Sequence, residues 1–135
     1  MTFFYVVLLT FDNFAHYSKV MLKHLTISNF TLIESVELSF SSGLTIITGE
    51  TGAGKSIIVD ALMLILGERA SSDLVRSGSA KAIVEGRFDI VANPDINELL
   101  LSKEYDVHPD EVIIRREITS KGQSRSFVND SPAPY

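Results

Sequence analysis

Leu44-Thr45-Ile46-Ile47-Thr48 leads into Gly49-Glu50-Thr51-Gly52-Ala53-Gly54-Lys55-Ser56, which leads into Ile57-Ile58-Val59-Asp60-Ala61-Leu62. The first five residues form a nearly continuous apolar and β-branched run, the pattern of a strand covered on both faces. The middle eight match G-x-x-x-x-G-K-[ST] at every fixed position. The spacing then predicts a helix from about Lys55 to Leu66. Ile57, Ile58, Ala61, Leu62, Leu64, Ile65 and Leu66 cover most of its surface, so it reads as buried on nearly all sides. Gly67 is placed to cap its C-terminus.

The residue types of the middle segment suit one task, wrapping a polyphosphate closely. Glycines at 49, 52 and 54 permit backbone angles and approaches that a side chain would block. Successive N–H groups can then converge into an anion nest, and the helix that follows adds its positive end. A lysine at 55 reaches the β and γ phosphates, and the Ser56 hydroxyl is a ligand for Mg²⁺. The expected site is therefore Gly49, Glu50, Thr51, Gly52, Ala53, Gly54, Lys55 and Ser56, with Ser56 at the metal and ATP with Mg²⁺ as cofactors. A Gly-rich strand-to-helix turn with a lone lysine is the bland alternative. The flanking buried strand and helix argue against it.

Upstream, Leu25 and Ile27 alternate with Thr26 and Ser28, and Val36, Leu38 and Phe40 alternate with Glu37 and Ser39. Each is a half-buried strand, and Ser41-Ser42-Gly43 reads as the turn before the motif. Downstream, Glu68 to Ala80 reads as a loop. Ala82, Val84, Phe88 and Ile90 mark a strand. Asn93 is a candidate cap for a short helix that opens with Pro94 and runs to about Lys103. Val112, Ile114 and Ile118 mark another strand, with Lys121-Gly122 as a turn and Ser124 to Val128 as the hairpin partner. No internal repeat or low-complexity tract is present.

The chain has 135 residues, 45% of them hydrophobic and 21% charged, which suits one domain or part of a larger one rather than a disordered segment. A formal net charge of -5 gives no general attraction to nucleic acid, so DNA contact would need a local basic patch. Arg115, Arg116, Lys121 and Arg125 form such a cluster around the last hairpin. Alternation sends Arg115 and Arg116 to opposite faces, and a solvated hairpin face is the favoured reading over a DNA-facing one. The chain has no cysteines, which excludes disulfides and thiolate metal sites and fits a cytoplasmic location. His16, His24 and His108 lack metal-ligand spacing, and Asp106, Asp110 and Glu111 read as loop charges.

Residues 1–20 stand apart. They hold Phe3, Phe4, Tyr5, Phe11, Phe14 and Tyr17. The apolar run is too short to span a bilayer, which takes about 20 residues, and it lacks the flanks of a secretory signal. The segment reads as an extension translated from upstream of a start at Met21, the other reading being an extra edge strand.

Leu25-Thr26-Ile27-Ser28-Asn29-Phe30 and the strand into residues 49–56 resemble the opening of SMC-like ATPases, relatives of the ABC transporters' ATPases. Leu66-Gly67-Glu68-Arg69-Ala70, Leu74-Val75-Arg76-Ser77-Gly78 and Ser124-Arg125-Ser126-Phe127-Val128-Asn129 are similar to the RecN-like branch in particular. The resemblance covers about Met21 to Asp130. It implies an α/β fold, the P-loop NTPase head lobe of ABC and SMC type, with a strand–P-loop–helix core beside an antiparallel sheet. It also implies a role in DNA double-strand break repair and recombination at the nucleoid. In such proteins the ATPase head is split between the two chain ends, and a long coiled coil joins them. Residues 21–135 then correspond to a partial N-terminal lobe. Its implied partners are a C-terminal lobe, a second head on dimerisation, and DNA through the full-length protein, with no membrane. Arg76 falls in a loop that can approach the nucleotide or a partner head, and a solvated loop arginine is an equal reading.

Several family features are missing from these 135 residues. No apolar run ends in Asp-Glu, there is no Leu-Ser-Gly-Gly signature, and the one glutamine, Gln123, sits in a hairpin turn. No heptad segment is present. Hydrolysis needs a carboxylate to position Mg²⁺ and a group to orient water, so the expectation is nucleotide binding without turnover by this chain alone. Two other readings stay open: a nucleotide-holding regulatory module without hydrolysis, and a small P-loop kinase. Two alternating strands ahead of the P-loop disfavour the kinase.

Overall fold

The computed structural model describes the backbone of residues 3–9, 21–40, 44–50, 53–91 and 94–134 and the side chains of 21–40, 57–91 and 94–134. Eight strands are present among these residues: β1 (Phe3–Leu9), β2 (Met21–Phe30), β3 (Ile33–Ser39), β4 (Leu44–Glu50), β5 (Lys81–Asp89), β6 (Glu111–Thr119), β7 (Ser124–Val128) and β8 (Ser131–Ala133). The helices are α1 (Ala53–Ile65) and α2 (Asp95–Ser102). Six strands make an antiparallel sheet in the order β3-β2-β5-β6-β7-β8, and β1 pairs antiparallel with β4 in a sheet of two.

The large sheet follows from period-2 patterning. Leu25 of β2 pairs with Gly86 of β5, which pairs with Ile114 of β6. Their neighbours Ile27, Val84 and Ile118 therefore share one face, and all three are buried. Helix α1 lies on that face. Its Ile57, Ala61, Leu64 and Ile65 recur at helical spacing and are buried in the same cluster as Leu25, Ile27, Phe30, Ala82, Val84 and Ile118. Gly86 allows the close approach, because a Cβ built there would stand 3.0 Å from Ile65 Cδ1. A second cluster seats α2, where Leu100 packs with Ile90 and Val112. Phe88 and Ile114 border both clusters, so both helices cover one face of the sheet.

The helix after the motif is less enclosed than its composition suggests. Leu66 is 73% exposed and Met63 40% exposed, with Asp60 also on the open side. The large sheet covers only one side of α1, so the expectation of burial on nearly all sides is corrected to burial on one stripe. Gly67 does cap the helix, at φ +104. Its N–H donates to Leu64 O at 3.1 Å, and the N–H of Glu68 donates to Met63 O at 3.1 Å. This pair of bonds is the Schellman arrangement, which satisfies carbonyls that the helix leaves open.

Helix α2 starts at Asp95 after Pro94, and the expected cap Asn93 lies outside the described residues, as does the Ser41-Ser42-Gly43 turn. The expected loop from Glu68 holds a short 3-10 turn at Ser72–Leu74 and is stitched to the β2–β3 turn. Thr31 N–H donates to Leu74 O and Arg76 N–H donates to Asn29 O, both at 2.8 Å. The hairpin partner β7 runs Ser124–Val128 as expected, and β8 adds an edge strand that the sequence did not predict.

Candidate nucleotide site

The motif falls at the junction of a strand and a helix. Gly49 and Glu50 end β4, while Ala53, Gly54, Lys55 and Ser56 form the first turn of α1. Thr51 and Gly52 lie outside the described residues, as do the side chains of Lys55 and Ser56. The first turn of α1 carries no acidic residue. No carboxylate of that turn therefore competes with an anion for the helix's open N–H groups, which suits a phosphate. The residues at the junction fit a triphosphate with a divalent cation in kind: backbone amides for the oxygens, one ammonium, and one hydroxyl for the metal.

The basic cluster expected around the last hairpin divides in two. Arg116 is 1% exposed and points into the core, so it is removed from any DNA-facing set. Its Nη1 donates to Leu64 O at 2.9 Å and to Glu68 O at 3.2 Å, and its Nη2 donates to Ser124 Oγ at 2.7 Å. Arg115 points the other way, as alternation requires. It pairs with Glu117 at 3.4 Å, with Glu85 at 4.0 Å and with Asp130, and its guanidinium lies 4.4 Å from the centroid of the Phe127 ring. On the same outer face Arg87 pairs with Glu85 and Glu111, and Lys81 with Glu117. Cations and carboxylates alternate across the face, which favours the solvated reading of the hairpin over a phosphate-binding one.

The AAA domain family matches residues 24–131. This chain belongs to that family. The DNA repair protein RecN of Vibrio cholerae is 47% identical over 120 residues, which are 84% of this chain and 20% of that protein. RecN of Bacillus subtilis is 45% identical over 109 residues, 81% of this chain and 19% of the relative. The chain thus spans about one fifth of the length of the curated relatives it matches. A structure solved in work on ATP-driven dimerization and DNA stimulated activation of SMC ATPases aligns with a TM-score of 0.65 at 29% identity, over 84% of this chain and 72% of that one. The likeness to RecN and the SMC-type α/β head architecture, both expected from the motif and its surroundings, hold.

Within this AAA domain, Arg76 is half-buried, and its main chain is fixed by the Asn29 bond. Its side chain makes no hydrogen bond or ion pair with another described residue, so both expectations for it stand. No group of His, Asp and Glu among the described residues is placed to hold a metal ion. No helix among them is long and apolar enough to cross a membrane. Arg116 is the residue whose burial sequence reasoning did not draw, although alternation had set it on the face opposite Arg115. The signal was present, since 116 is in phase with Val112, Ile114 and Ile118 on the inward face of β6.

Proposed function

We propose that this chain is the ATP-binding part of a RecN-like DNA repair ATPase and that residues 49–56 hold the triphosphate. The observation that supports the reading is that Gly49 and Glu50 end β4 while Ala53, Gly54, Lys55 and Ser56 open α1. Gly49, Glu50, Thr51, Gly52, Ala53 and Gly54 supply backbone amides to the phosphate oxygens. Lys55 neutralises the β and γ phosphates, and Ser56 offers its hydroxyl to Mg²⁺. The bound cation would screen phosphate charge. Turnover would require carboxylates that these 135 residues lack after any apolar run, so binding without hydrolysis is the activity assigned to this chain.

Residues 21–135 act as a partial N-terminal lobe, and residues 1–20 as an extension whose residues 3–9 pair with β4 as strand β1. The exposed Met63 and Leu66 on α1 support contact with a C-terminal lobe. A second head is supported by the ATP-driven dimerization studied for SMC ATPases, and DNA by their DNA stimulated activation. DNA contact is assigned to the full-length protein at the nucleoid, because the outer face of the sheet pairs its own charges.

Calorimetric titration tests the reading. Mg-ATP should bind saturably to the wild-type chain, and Lys55→Ala should weaken binding roughly tenfold or more, the effect of losing a charge-assisted contact. Equal affinities, or no binding by either protein, would overturn it.

A further inference from the structure

Helix α1 has two ends, and only the N-terminal one belongs to the phosphate motif. The other end is held from outside the helix. The last turn of α1 contains no basic residue of its own. Arg116, from β6, supplies the positive charge that the carbonyl end of a helix favours, and its fork touches Leu64 O and Glu68 O there. The same guanidinium donates through Nη2 to Ser124 Oγ at the start of β7. One planar group therefore joins the far end of the P-loop helix to the β6–β7 hairpin.

The residue type is itself informative. Val112, Ile114 and Ile118 surround position 116 on the inward face, and an aliphatic side chain would continue that row without desolvating a charge. A lysine would carry the charge but could not hold three acceptors in one plane. Helix α1 is also a stiff connector. Its 13 residues span about 20 Å, with the apolar stripe pinned to the sheet. A displacement along its axis at the phosphate end is felt at the carbonyl end, where Arg116 sits.

We propose that Arg116 is a positioning residue for the nucleotide site: it fixes α1 axially against β6–β7, so that occupancy at residues 49–56 is transmitted to the hairpin. The proposal rests on the nucleotide reading above. Coupling between two sites is reciprocal and typically amounts to a five-fold change or more. Ligand at the motif should therefore slow opening of the hairpin, and the link should run through the fork.

Amide hydrogen exchange on the full chain, with and without Mg-ATP, tests this. In the wild type, nucleotide should slow exchange both in α1 and in the amides of 119–128, the latter by about five-fold. In Arg116→Lys the α1 response should persist while the hairpin response falls below about two-fold. A hairpin response in Arg116→Lys equal to wild type overturns the proposal. Loss of the α1 response in the wild type instead overturns the nucleotide reading, and the proposal with it. If Arg116→Lys does not fold, Ser124→Ala provides the second variant. It removes the hairpin contact alone and leaves both α1 carbonyl contacts in place. The hairpin response should again be lost, and its retention overturns the proposal. A purely structural arginine would lower stability without uncoupling the two responses.

Discussion

The six-stranded sheet and the β4–α1 unit satisfy their surfaces in opposite ways. On the sheet's inward face Leu25, Ile27, Val84 and Ile118 are buried, and on its outward face Arg115, Arg87 and Lys81 each have carboxylate partners. The β4–α1 unit leaves Met63 and Leu66 exposed and ends β4 against a helix N-terminus without acidic residues. The lesson is that self-satisfied surface works as scaffold, while surface with open backbone donors and uncovered apolar groups is where ligand and partner chemistry is to be sought. The charged hairpin read in the sequence as a solvated face rather than a DNA-facing one. Arg115 at its centre is paired with Glu85, Glu117 and Asp130, and Arg116 is turned into the core.

The contrast can be broken most sharply along α1 itself. Leu64 is 2% exposed and Leu66 73% exposed, two residues apart on one helix. In chemical denaturation Leu64→Ala should lose about 2–5 kcal/mol, as expected for a core leucine. Leu66→Ser should stay within about 0.5 kcal/mol of wild type. Comparable losses would mean that α1 is enclosed on both sides. A smaller effect is expected at the helix end. Gly67 has φ +104, where an L side chain is strained, so Gly67→Ala should cost about 1–2 kcal/mol in the same assay. No loss would show that the Schellman turn can relax. The smallest effect belongs to the outer face. Lys81 and Glu117 stand 3.5 Å apart with the lysine side chain 49% exposed, and Glu117→Gln should change stability by less than about 1 kcal/mol, with the difference shrinking further at high salt. A larger, salt-insensitive loss would show that this network is structural.

Much of this was legible beforehand because the two periodicities are strong. Leu25 and Ile27, Val112 and Ile118, and the 49–56 spacing placed β2, β6 and the strand-to-helix junction. What was not legible depends on layers rather than periods. Leu66 is as apolar as Leu64, and only the presence of a sheet on one side separates them. Arg116 carries a charge, and its neighbour Arg115 is a surface residue, so identity suggested a patch where phase indicated the core. Strand β8 has three residues and contains Pro132, which lacks a donor and suits an edge strand, so no alternating run announced it. Residues 3–9 form β1 against β4, with Phe4 opposite Gly49 at the start of the motif.

The central claim is that main-chain amides at the β4–α1 junction are the ligand site. Backbone amide resonances followed during titration with Mg-ATP test it most directly. The account predicts that the largest and earliest shifts fall on residues 49–56, with those on the outer face of the large sheet nearly still. Largest shifts on Lys81, Arg87, Arg115 and their neighbours, with the junction unmoved, would contradict it.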